Sequence, residues 1–455
     1  MQMLNLPTLP PGPRARWWGL NHLATMRPDY LGYVEELQRQ HADIAHLQVL
    51  NERIFHVFNP DWVREIVVSQ SAVLIRWERA TEVFSHSMGQ SVLVTEGAQW
   101  ERQRRMLQPG FAPKRVADYA KLMTDAARTA FNTLVTPQTG PKADIGKLMT
   151  SITLDVIMGV LFGNRHVQDA ESVANAIQTL SQFAVSQLFK PIPWPMWAPV
   201  AEVSNARSAI KKLNQLIDHH IRASPQPNQA SEQSLLTMLQ QARDPNHPSE
   251  GLSRQELHDQ IMVTFQAGHE SSATALTWWC GLIARHPDVA ARIQNEVTAV
   301  LQGQDPTPEA LAQLPWLQAS LKEALRLYPP AALLFTRRAC QNIKAGPWTI
   351  PKGSLIAITP YVIQRDPRWF DAPDEFRPER FMNSIEIPRG TWMPFGVGPR
   401  VCIGQHFAML EMGLIAAMLM QRFGLTWPED ATWPKTNLGV TLRPATPMVL
   451  NVTPR

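Results

Sequence analysis

Apolar and polar residues alternate first with the period of a strand and then, over most of the chain, with the period of a helix. The segments 46–50 and 53–58 alternate at every second residue, which predicts a β-hairpin. Beyond them, up to about Leu327, apolar residues recur mostly at helical spacing. Strand patterns return at 343–361 and again at 439–452. Because these elements do not alternate as βαβ units, the pattern predicts a mainly α fold with small β-sheets.

Two long helices are predicted in the second half of the chain. Ser253 and Glu256 form a Ser-x-x-Glu capping box, and helical spacing continues to about Arg285. At 1.5 Å per residue this helix is about 48 Å long, enough to cross the whole molecule. The second helix runs from about Gln405 to Phe423, with apolar residues at helical spacing.

Composition is typical of a globular protein, since 44% of the 455 residues are apolar and 18% are charged. The polar, proline-bearing stretches at 224–233 and 244–250 are each flanked by helical pattern, which favours surface loops over domain boundaries. We therefore expect a single domain over residues 1–455, with a stiff, proline-rich lead-in at residues 1–14. The net charge of +4 is scattered along the chain, which argues against nucleic-acid binding.

The cysteines and the N-terminus indicate in which cellular compartment the protein is expected. Three cysteines are too few and too dispersed for a disulfide framework and suit a reducing environment. No run approaches the ~18 consecutive apolar residues of a membrane span, and the N-terminus lacks the apolar region of a signal peptide. A cytoplasmic protein without a membrane span is expected.

The strongest chemical signal is a glycine-rich loop that contains one cysteine and runs from Phe395 to Gly404 as Phe-Gly-Val-Gly-Pro-Arg-Val-Cys-Ile-Gly. Cys402 stands just before a predicted helix, whose free N–H groups favour a thiolate, and Arg400 is two residues away. Gly398 and Gly404 let the backbone bend closely around a flat, bulky partner. The loop indicates an activated cysteine in a tight cradle; the alternative is a buried, inert cysteine.

A second candidate site lies in the middle of the long helix, at Ala267-Gly-His-Glu-Ser-Ser. A glycine and two serines weaken a helix interior, which indicates either close packing or function. His269-Glu270 begins like a zinc-binding His-Glu-x-x-His, but position 273 is alanine, so the second ligand is missing.

Two further pairs have helical spacing. Glu323 and Arg326 share a helix face ahead of a Pro-Pro pair, and a Phe-Arg-Pro-Glu-Arg-Phe run that includes Arg380 follows them. Trp100 and Arg104 also share a face, and both side chains only donate hydrogen bonds, which suits an anionic partner. The alternative for this second pair is an ordinary surface contact.

Together these motifs resemble those of the cytochrome P450 family. The run from Phe395 to Gly404 resembles the haem-binding signature of that family, and the resemblance covers most of the chain. It implies a helical fold shaped as a triangular prism, with Cys402 as the axial ligand of the haem iron. The expected cofactor is haem b, bound without covalent attachment because no Cys-x-x-Cys-His occurs.

The resemblance also implies roles for the other motifs. The side chains implied to hold the haem propionates are Trp100, Arg104, Arg337 and Arg400, with Arg338 as an alternative to Arg337. The residues implied to form a buried network that stabilises the haem pocket are Glu323, Arg326 and Arg380.

On the long helix, the resemblance implies that Gly268 makes room for dioxygen and that Glu270 and Ser271 relay protons to it. The family usually has threonine where this chain has Ser271. Serine keeps the hydroxyl but lacks the methyl group that restricts χ1. Ser272 is an alternative source of the hydroxyl.

The function implied is that of a monooxygenase, which inserts one oxygen atom from O₂ into a small lipophilic organic substrate. The segments expected to line the substrate pocket are 72–94, 183–200, 331–335 and 439–440. The aromatic residues that either line this pocket or pack elsewhere are Phe183, Phe189, Trp194 and Trp197.

Electrons are expected from separate proteins, because the chain has no room for a flavin module after Cys402 and too few cysteines for a four-cysteine iron–sulfur cluster. The expected donors are a ferredoxin with its reductase, or a flavodoxin-type protein, supplied by NAD(P)H. The residues expected to form a positive docking face are Arg102, Arg104, Arg105 and Arg400.

Two other functions stay open at this point. One is an H₂O₂-driven peroxygenase, although peroxygenases of the family have an Arg-Pro pair where this chain has an acid and an alcohol. The other is a haem sensor or electron-transfer protein that does not oxygenate a substrate.

Overall fold

The computed structural model describes residues 9–134, 142–163, 170–223, 234–382 and 387–455. The predicted loop at 224–233 and the first eight residues of the proline-rich lead-in lie outside these ranges. In the rest of the lead-in, the Pro11 carbonyl accepts a hydrogen bond of 3.0 Å from the His46 N–H.

Helices predominate, as the apolar spacing predicted. Those of the first half are α1 (Leu20–Met26), α2 (Tyr30–His41), α3 (Pro60–Arg64), α4 (Glu78–Met88), α5 (Gly97–Leu107), α6 (Pro113–Asp118), α7 (Ala120–Asn132), α8 (Ile145–Phe162), α9 (Ala170–Phe189) and α10 (Ala201–Ala223). Those that follow are α11 (Leu235–Gln241), α12 (Arg254–Arg285), α13 (Pro287–Leu301), α14 (Pro308–Leu311), α15 (Pro315–Leu327), α16 (Pro360–Ile363) and α17 (Gln405–Arg422).

The strands are short and form small sheets. They are β1 (Ile44–Val49), β2 (Glu52–Val57), β3 (Leu74–Arg76), β4 (Lys142–Asp144), β5 (Arg243–Asp244), β6 (His247–Gly251), β7 (Arg337–Ala339), β8 (Ile343–Ala345), β9 (Trp348–Ile350), β10 (Leu355–Ala357), β11 (Phe423–Thr426), β12 (Thr436–Leu438), β13 (Leu442–Pro444) and β14 (Val449–Pro454). The largest sheet has the order β1-β2-β10-β7-β3, and a three-stranded sheet has the order β11-β14-β4.

The predicted hairpin is confirmed as the antiparallel pair β1 and β2, in register from Ile44 opposite Val57 to Val49 opposite Glu52. The strand-rich region at 343–361 is confirmed as well, and its β10 adds to β2 in parallel. This pairing attaches the later strands to the N-terminal hairpin, and an apolar core lies beneath the sheet they form.

The predicted loop at 244–250 is instead a small hairpin of β5 and β6. Asp244 makes this turn, because its Oδ1 accepts the Asn246 N–H at 3.0 Å. Asp244 is also buried and forms an ion pair of 3.3 Å with Arg105. That tertiary contact, absent from the local pattern, holds the turn against the body of the molecule.

Helix α12 has the predicted bounds and start. The Ser253 hydroxyl accepts the Glu256 N–H, and the Glu256 carboxylate accepts the Ser253 N–H, so the capping box is complete. A Cβ added to Gly268 would lie 2.8 Å from Cδ1 of Ile157 on α8. The glycine that weakens this helix therefore lets α12 pack closely on α8.

The main apolar core is formed chiefly by α7, α8, α12, α15 and α17. Within the described ranges, α8 is the one helix long and apolar enough to cross a membrane by length and composition. Most of it is buried in this core. The same core positions α12 and the start of α17 on the walls of one cavity.

Candidate active site

One cavity of about 620 Å³ brings together the residues predicted for the cofactor and for catalysis. All ten of them line it. They are Trp100, Arg104, Gly268, Glu270, Ser271, Arg337, Phe395, Arg400, Cys402 and Gly404.

The loop before α17 presents Cys402 to this cavity. Gly396 and Gly398 have φ angles of +74° and +81°, which other residues rarely adopt. A Cβ on Gly398 would lie 2.3 Å from the Val67 carbonyl oxygen. The Cys402 N–H donates to the Phe395 carbonyl at 2.9 Å, and the Cys402 side chain is exposed to the cavity. The predicted close backbone is therefore found at Gly398, whereas Gly404 has an ordinary φ of −87° and room for a Cβ, whose nearest neighbour would be the Cys402 Sγ at 3.9 Å.

The surroundings of the Cys402 thiol differ from the prediction. Burial within the molecule raises the pKa of Cys402, while the Gly404 N–H and Arg104 lower it. The Gly404 N–H at the helix start lowers this pKa as predicted, and Arg104 rather than Arg400 is the cation that lowers it, but desolvation of the charged form outweighs both. A metal cation bound at the sulfur would add to these two effects.

Four guanidinium groups surround another part of the cavity wall. Arg104, Arg337 and Arg400 were predicted, and Arg76 joins them. The carboxylate that pairs with them is Glu96, which forms ion pairs with both Arg76 and Arg400. The cluster therefore carries excess positive charge.

The pKa values reflect this crowding of like charges. Burial, together with repulsion from Arg76, Arg337 and Arg104, lowers the pKa of Arg400 to about 9 against the opposing effect of Glu96. Burial and Arg76 likewise lower the pKa of Arg337 to about 10. Nη1 of Arg337 and Nε of Arg76 are buried without a hydrogen-bond acceptor among the described residues. An anionic ligand in the cavity satisfies these donors and relieves the repulsion.

Trp100, predicted to share a helix face with Arg104, also contacts Arg400, a contact that was not predicted. Cζ of Arg400 lies 3.8 Å from the centre of the Trp100 ring, so the tryptophan packs against that guanidinium. Arg338, the alternative to Arg337, instead forms ion pairs of 2.8 Å with Glu52 and 2.7 Å with Glu78. Of the two neighbouring arginines, Arg337 is the one that lines the cavity.

Helix α12 contributes hydroxyl groups to the cavity. The Ser271 hydroxyl donates to the Ala267 carbonyl of its own helix at 2.9 Å. Ser272 also lines the cavity; its buried hydroxyl makes no hydrogen bond of good geometry within the described part of the chain, but it is close enough to Glu411 to lower the pKa of that carboxyl group. Both serines are therefore near the site, and they differ in what their hydroxyls contact.

The carboxylate of Glu270 is bound by residues distant in sequence. Its Oε1 accepts a hydrogen bond of 2.6 Å from the Thr441 hydroxyl and forms an ion pair of 2.7 Å with Arg443. The Ser181 hydroxyl lies 3.5 Å from the same oxygen. Arg443 lines a second, smaller cavity of about 300 Å³, so the ion pair lies between the two cavities. None of these three partners was predicted, because no local pattern marks them.

A buried carboxyl group was also missed. Glu411 lies on α17 with an exposed fraction of 0%, and neither of its oxygens has a hydrogen-bond partner among the residues described. Burial raises the pKa of Glu411 to about 8, against a smaller opposing effect of Ser272. Glu411 was not singled out from the sequence, because the apolar spacing of α17 does not mark an acid on its buried face.

The expected pocket segments all contribute to the wall of the main cavity. Of the four aromatic candidates, Phe189 lines it, whereas Phe183 is buried in the main core. Trp194 and Trp197 are exposed on the surface. The apolar residues of these segments that line the cavity include Phe84, Val92, Leu188, Leu334, Phe335 and Val440.

The predicted structural network is present below the cavity. Glu323 and Arg326, both fully buried, are joined at 2.7 Å, and Nε of Arg380 lies 3.2 Å from Glu323. Arg326 also donates to the carbonyls of Gln364 and Pro373 at 2.8 and 2.6 Å. Its guanidinium therefore ties α15 to the chain that leads to the Cys402 loop.

The expected positive docking face is not formed by the residues named for it. Arg102 is neutralised by Glu256 at 2.6 Å, and Arg105 is paired with Asp244. Arg104 and Arg400 point into the cavity wall rather than to an open surface. The prediction did not anticipate the pairing of Arg102 and Arg105, because the acidic partners of these two arginines lie far away in sequence.

Comparison with known proteins agrees with this site. The family model Cytochrome P450 matches residues 10–452. Cyclooctatin synthase of Streptomyces melanosporofaciens is 31% identical over 411 residues, covering 89% of this chain and 88% of the relative. Cyclooctat-9-en-7-ol 5-monooxygenase of the same organism is 27% identical, covering 85% and 83%. Cytokinin hydroxylase of Arabidopsis thaliana is 33% identical, covering 75% and 68%.

A cysteine cradle and a helix with an acid and an alcohol, brought together on one cavity, define a haem-thiolate class of enzyme. The chain belongs to the cytochrome P450 family. It is an oxidoreductase of that family, whose relatives include named monooxygenases and hydroxylases.

The residues present fit the haem that the family implies. The exposed thiol of Cys402 offers the axial ligand, and the close backbone at Gly398 leaves room for a flat ring system. The unsatisfied donors of Arg76 and Arg337 suit carboxylates at the edge of such a ring.

Proposed function

We propose that this chain is an O₂-dependent monooxygenase that oxidises a small lipophilic substrate with electrons from separate proteins. The observation that carries the proposal is the convergence on one cavity of the Cys402 thiol, the guanidinium cluster and the acid and alcohol of α12. When bound, haem supplies the activation of O₂ and its insertion into a bond of the substrate.

In this proposal Cys402 binds the iron of haem b through its sulfur, without covalent attachment of the ring. Trp100, Arg104, Arg337 and Arg400 hold the propionates, and Arg76 strengthens the positive field around them. The excess of guanidinium over carboxylate groups supports this assignment.

Glu270 and Ser271 move protons into the cavity. Glu270 exchanges protons with the side of the smaller cavity, where Arg443 pairs with it. Its carboxylate must leave Arg443 and Thr441 before it can reach the Ser271 hydroxyl, which then carries a proton at Oγ. Gly268 is assigned to the space for O₂; a Cβ there would lie 2.8 Å from Cδ1 of Ile157, so a larger residue would also push α12 away from α8.

The substrate is expected to be lipophilic because the walls near α4, α9 and β7 are largely apolar and aromatic. Electrons derive from NAD(P)H through a ferredoxin with its reductase, or through a flavodoxin-type donor. A peroxygenase, or a haem protein that does not oxygenate, would not use electrons from NAD(P)H to oxidise a substrate.

The test is reconstitution of the purified haem protein with NADPH, a ferredoxin and a ferredoxin reductase, followed by a screen of lipophilic compounds. Ligands are selected by their shift of the haem absorption, and products formed under ¹⁸O₂ are analysed by mass spectrometry. The proposal predicts substrate-dependent NADPH consumption and one labelled oxygen atom in the product.

Other outcomes identify the alternatives. Product formation with H₂O₂ alone, and none with NADPH and partners, would show a peroxygenase. Haem reduction without any oxidised product across ligands that bind would indicate a sensor or an electron carrier. Cys402→Ala should lose the thiolate spectrum of the reduced carbon monoxide complex, whereas Cys340→Ala, which alters a cysteine outside the cavity wall, should keep it.

A further inference from the structure

A buried histidine lies on the wall that the largest sheet contributes to the main cavity. On β2 the residues that line the cavity are Glu52, Ile54 and His56, at every second position. Phe55 and Val57 alternate with them and are buried in the core beneath the sheet. Because successive side chains of a strand point to opposite faces, the imidazole of His56 is on the cavity side of β2.

This imidazole has an unfilled hydrogen-bonding position. His56 is 2% exposed, and its Nδ1 has no hydrogen-bond partner among the residues that the structure describes. Burial lowers the pKa of His56 to about 4, so at neutral pH the ring is uncharged and offers one N–H donor and one acceptor nitrogen. A buried polar atom without a partner is unfavourable, which indicates that a molecule in the cavity supplies the missing contact.

The surroundings of His56 are otherwise apolar and aromatic. The ring of Tyr30 lies 6.3 Å from the imidazole and 5.3 Å from the ring of Phe189, and both aromatic residues line the cavity. Ala357, which is paired with His56 in register on β10, lines it too. His56 therefore adds a polar contact point to an apolar part of the wall.

The charges beside His56 disfavour an anionic ligand. Glu52 lies on the same face of β2, and it shares the guanidinium of Arg338 with Glu78 in ion pairs of 2.8 and 2.7 Å. Two carboxylates around one guanidinium leave a net negative charge, and the neutral imidazole supplies no positive charge to balance an incoming acid. An uncharged hydroxyl or carbonyl oxygen costs much less to desolvate than a carboxylate does.

His56 is also separate from the guanidinium cluster. Strand β10 lies between β2 and β7, which carries Arg337, so two strand spacings of roughly 5 Å each separate the backbones of β2 and β7. A ligand oxygen at His56 is therefore held apart from the region assigned to the cofactor edge. The apolar remainder of the ligand is left to extend along the cavity.

We propose that His56 binds a neutral oxygen that the substrate already carries, so that the substrate is a lipophilic alcohol or ketone rather than a hydrocarbon or an organic acid. This assignment rests on the proposed function, because it concerns the substrate of the same cavity. His56 determines specificity and orientation, and it takes no part in the oxidation itself.

The experiment compares matched probes on the purified haem protein: 1-dodecanol with dodecane, and cyclododecanol with cyclododecane. Dissociation constants are taken from the shift of the haem absorption. Because the hydrocarbon of each pair is the more hydrophobic member, the quantity compared between variants is the ratio of the two constants. His56→Leu should lower the preference for the alcohol by about threefold to tenfold, which is the effect of one hydrogen bond.

The matched control is His46→Leu. His46 lies on β1 opposite Phe55, and it also has a buried nitrogen without a partner among the described residues, but it is not part of the cavity wall. This variant should keep the wild-type ratio. His56→Asn, which retains a side chain able to hydrogen-bond, should recover part of the preference. A purely structural role of His56 would change stability and leave the ratio unaltered.

The charge of the ligand is tested with dodecanoate in place of 1-dodecanol. The acid should bind to the wild-type protein more weakly than the alcohol. Tighter binding of dodecanoate that His56→Leu weakens would show an anion site instead of the neutral one.

Three further results would overturn the proposal. They are an unchanged ratio in His56→Leu for both pairs, an equal fall of the ratio in His46→Leu, and failure of both alcohols to bind to the wild-type protein. The proposed oxidation fails separately, if the alcohol preference depends on His56 but no labelled product forms with NADPH and partners. Labelled products together with an unchanged ratio would reject the role of His56 alone.

Discussion

Replacing Glu411 by glutamine should remove a pH dependence from the stability of this protein. Glu411 on α17 is fully buried, and neither carboxyl oxygen is hydrogen-bonded to any residue that the structure describes. Burial raises the pKa of this carboxyl group from 4.5 to about 8. At neutral pH the folded protein therefore keeps a proton that the unfolded chain has released.

The sign and the size of the effect follow from this difference. Below the ordinary pKa both states hold the proton, and above the raised pKa neither does, so the contribution is flat at both ends. Between them, the free energy of unfolding falls as pH rises, by about 1.4 kcal/mol per pH unit. From about pH 5 to about pH 7 the wild-type protein should lose about 3 kcal/mol relative to Glu411→Gln.

The measurement is urea unfolding of the haem protein at several pH values, for wild type, Glu411→Gln and the control Glu379→Gln, which alters an exposed acid. The difference between wild type and Glu411→Gln should grow with pH, while the control follows wild type. An infrared band of a protonated carboxyl group should also disappear in Glu411→Gln alone. Parallel pH profiles for wild type and Glu411→Gln would refute the assignment of a protonated buried acid.

Three further changes test other parts of the site. Ser271→Ala should divert NADPH electrons to hydrogen peroxide while Ser271→Thr keeps coupling, and equal peroxide yields in both would remove this hydroxyl from proton transfer. Arg337→Leu should lower haem affinity about tenfold or more, measured by transfer to a competing apoprotein, because it removes a charged hydrogen-bond donor. Arg338→Leu is its control, and an equal loss there would contradict the assignment. Glu323→Leu should destabilise the protein by about 3–5 kcal/mol in urea unfolding, because it leaves buried guanidinium groups without a counter-charge; a change below about 1 kcal/mol would show that the network is not needed for stability.

Local signals in the sequence determined the main elements and the principal residues that we propose bind the cofactor. The capping box of Ser253 and Glu256 marks the start of α12, and period-two alternation marks the first hairpin. The loop around Cys402 was recognised by the resemblance of its residues to a haem-binding signature, and the positive φ angles of Gly396 and Gly398 fit the glycines found there. Such features depend on neighbours within a few residues, so a linear pattern contains them.

The tertiary structure decided which charged side chains have ion-pair or hydrogen-bond partners, and which residues those partners are. Glu270 is engaged by Thr441 and Arg443, more than 170 positions later in the chain. Arg76 joins the cofactor arginines only because β3 pairs with β7, and no pattern around it indicates a site. Arg102 loses its expected role in docking because Glu256 lies beside it in the folded chain.

For Cys402 too, some properties follow from the sequence and others only from the tertiary structure. Its identity, its loop and the helix that follows were determined by the sequence alone. Whether its thiol ionises depends on desolvation, which raises the pKa, and on Arg104, which lowers it. Desolvation and charge pairing are properties of how the whole chain packs, because both depend on the distances between residues that only the fold brings together.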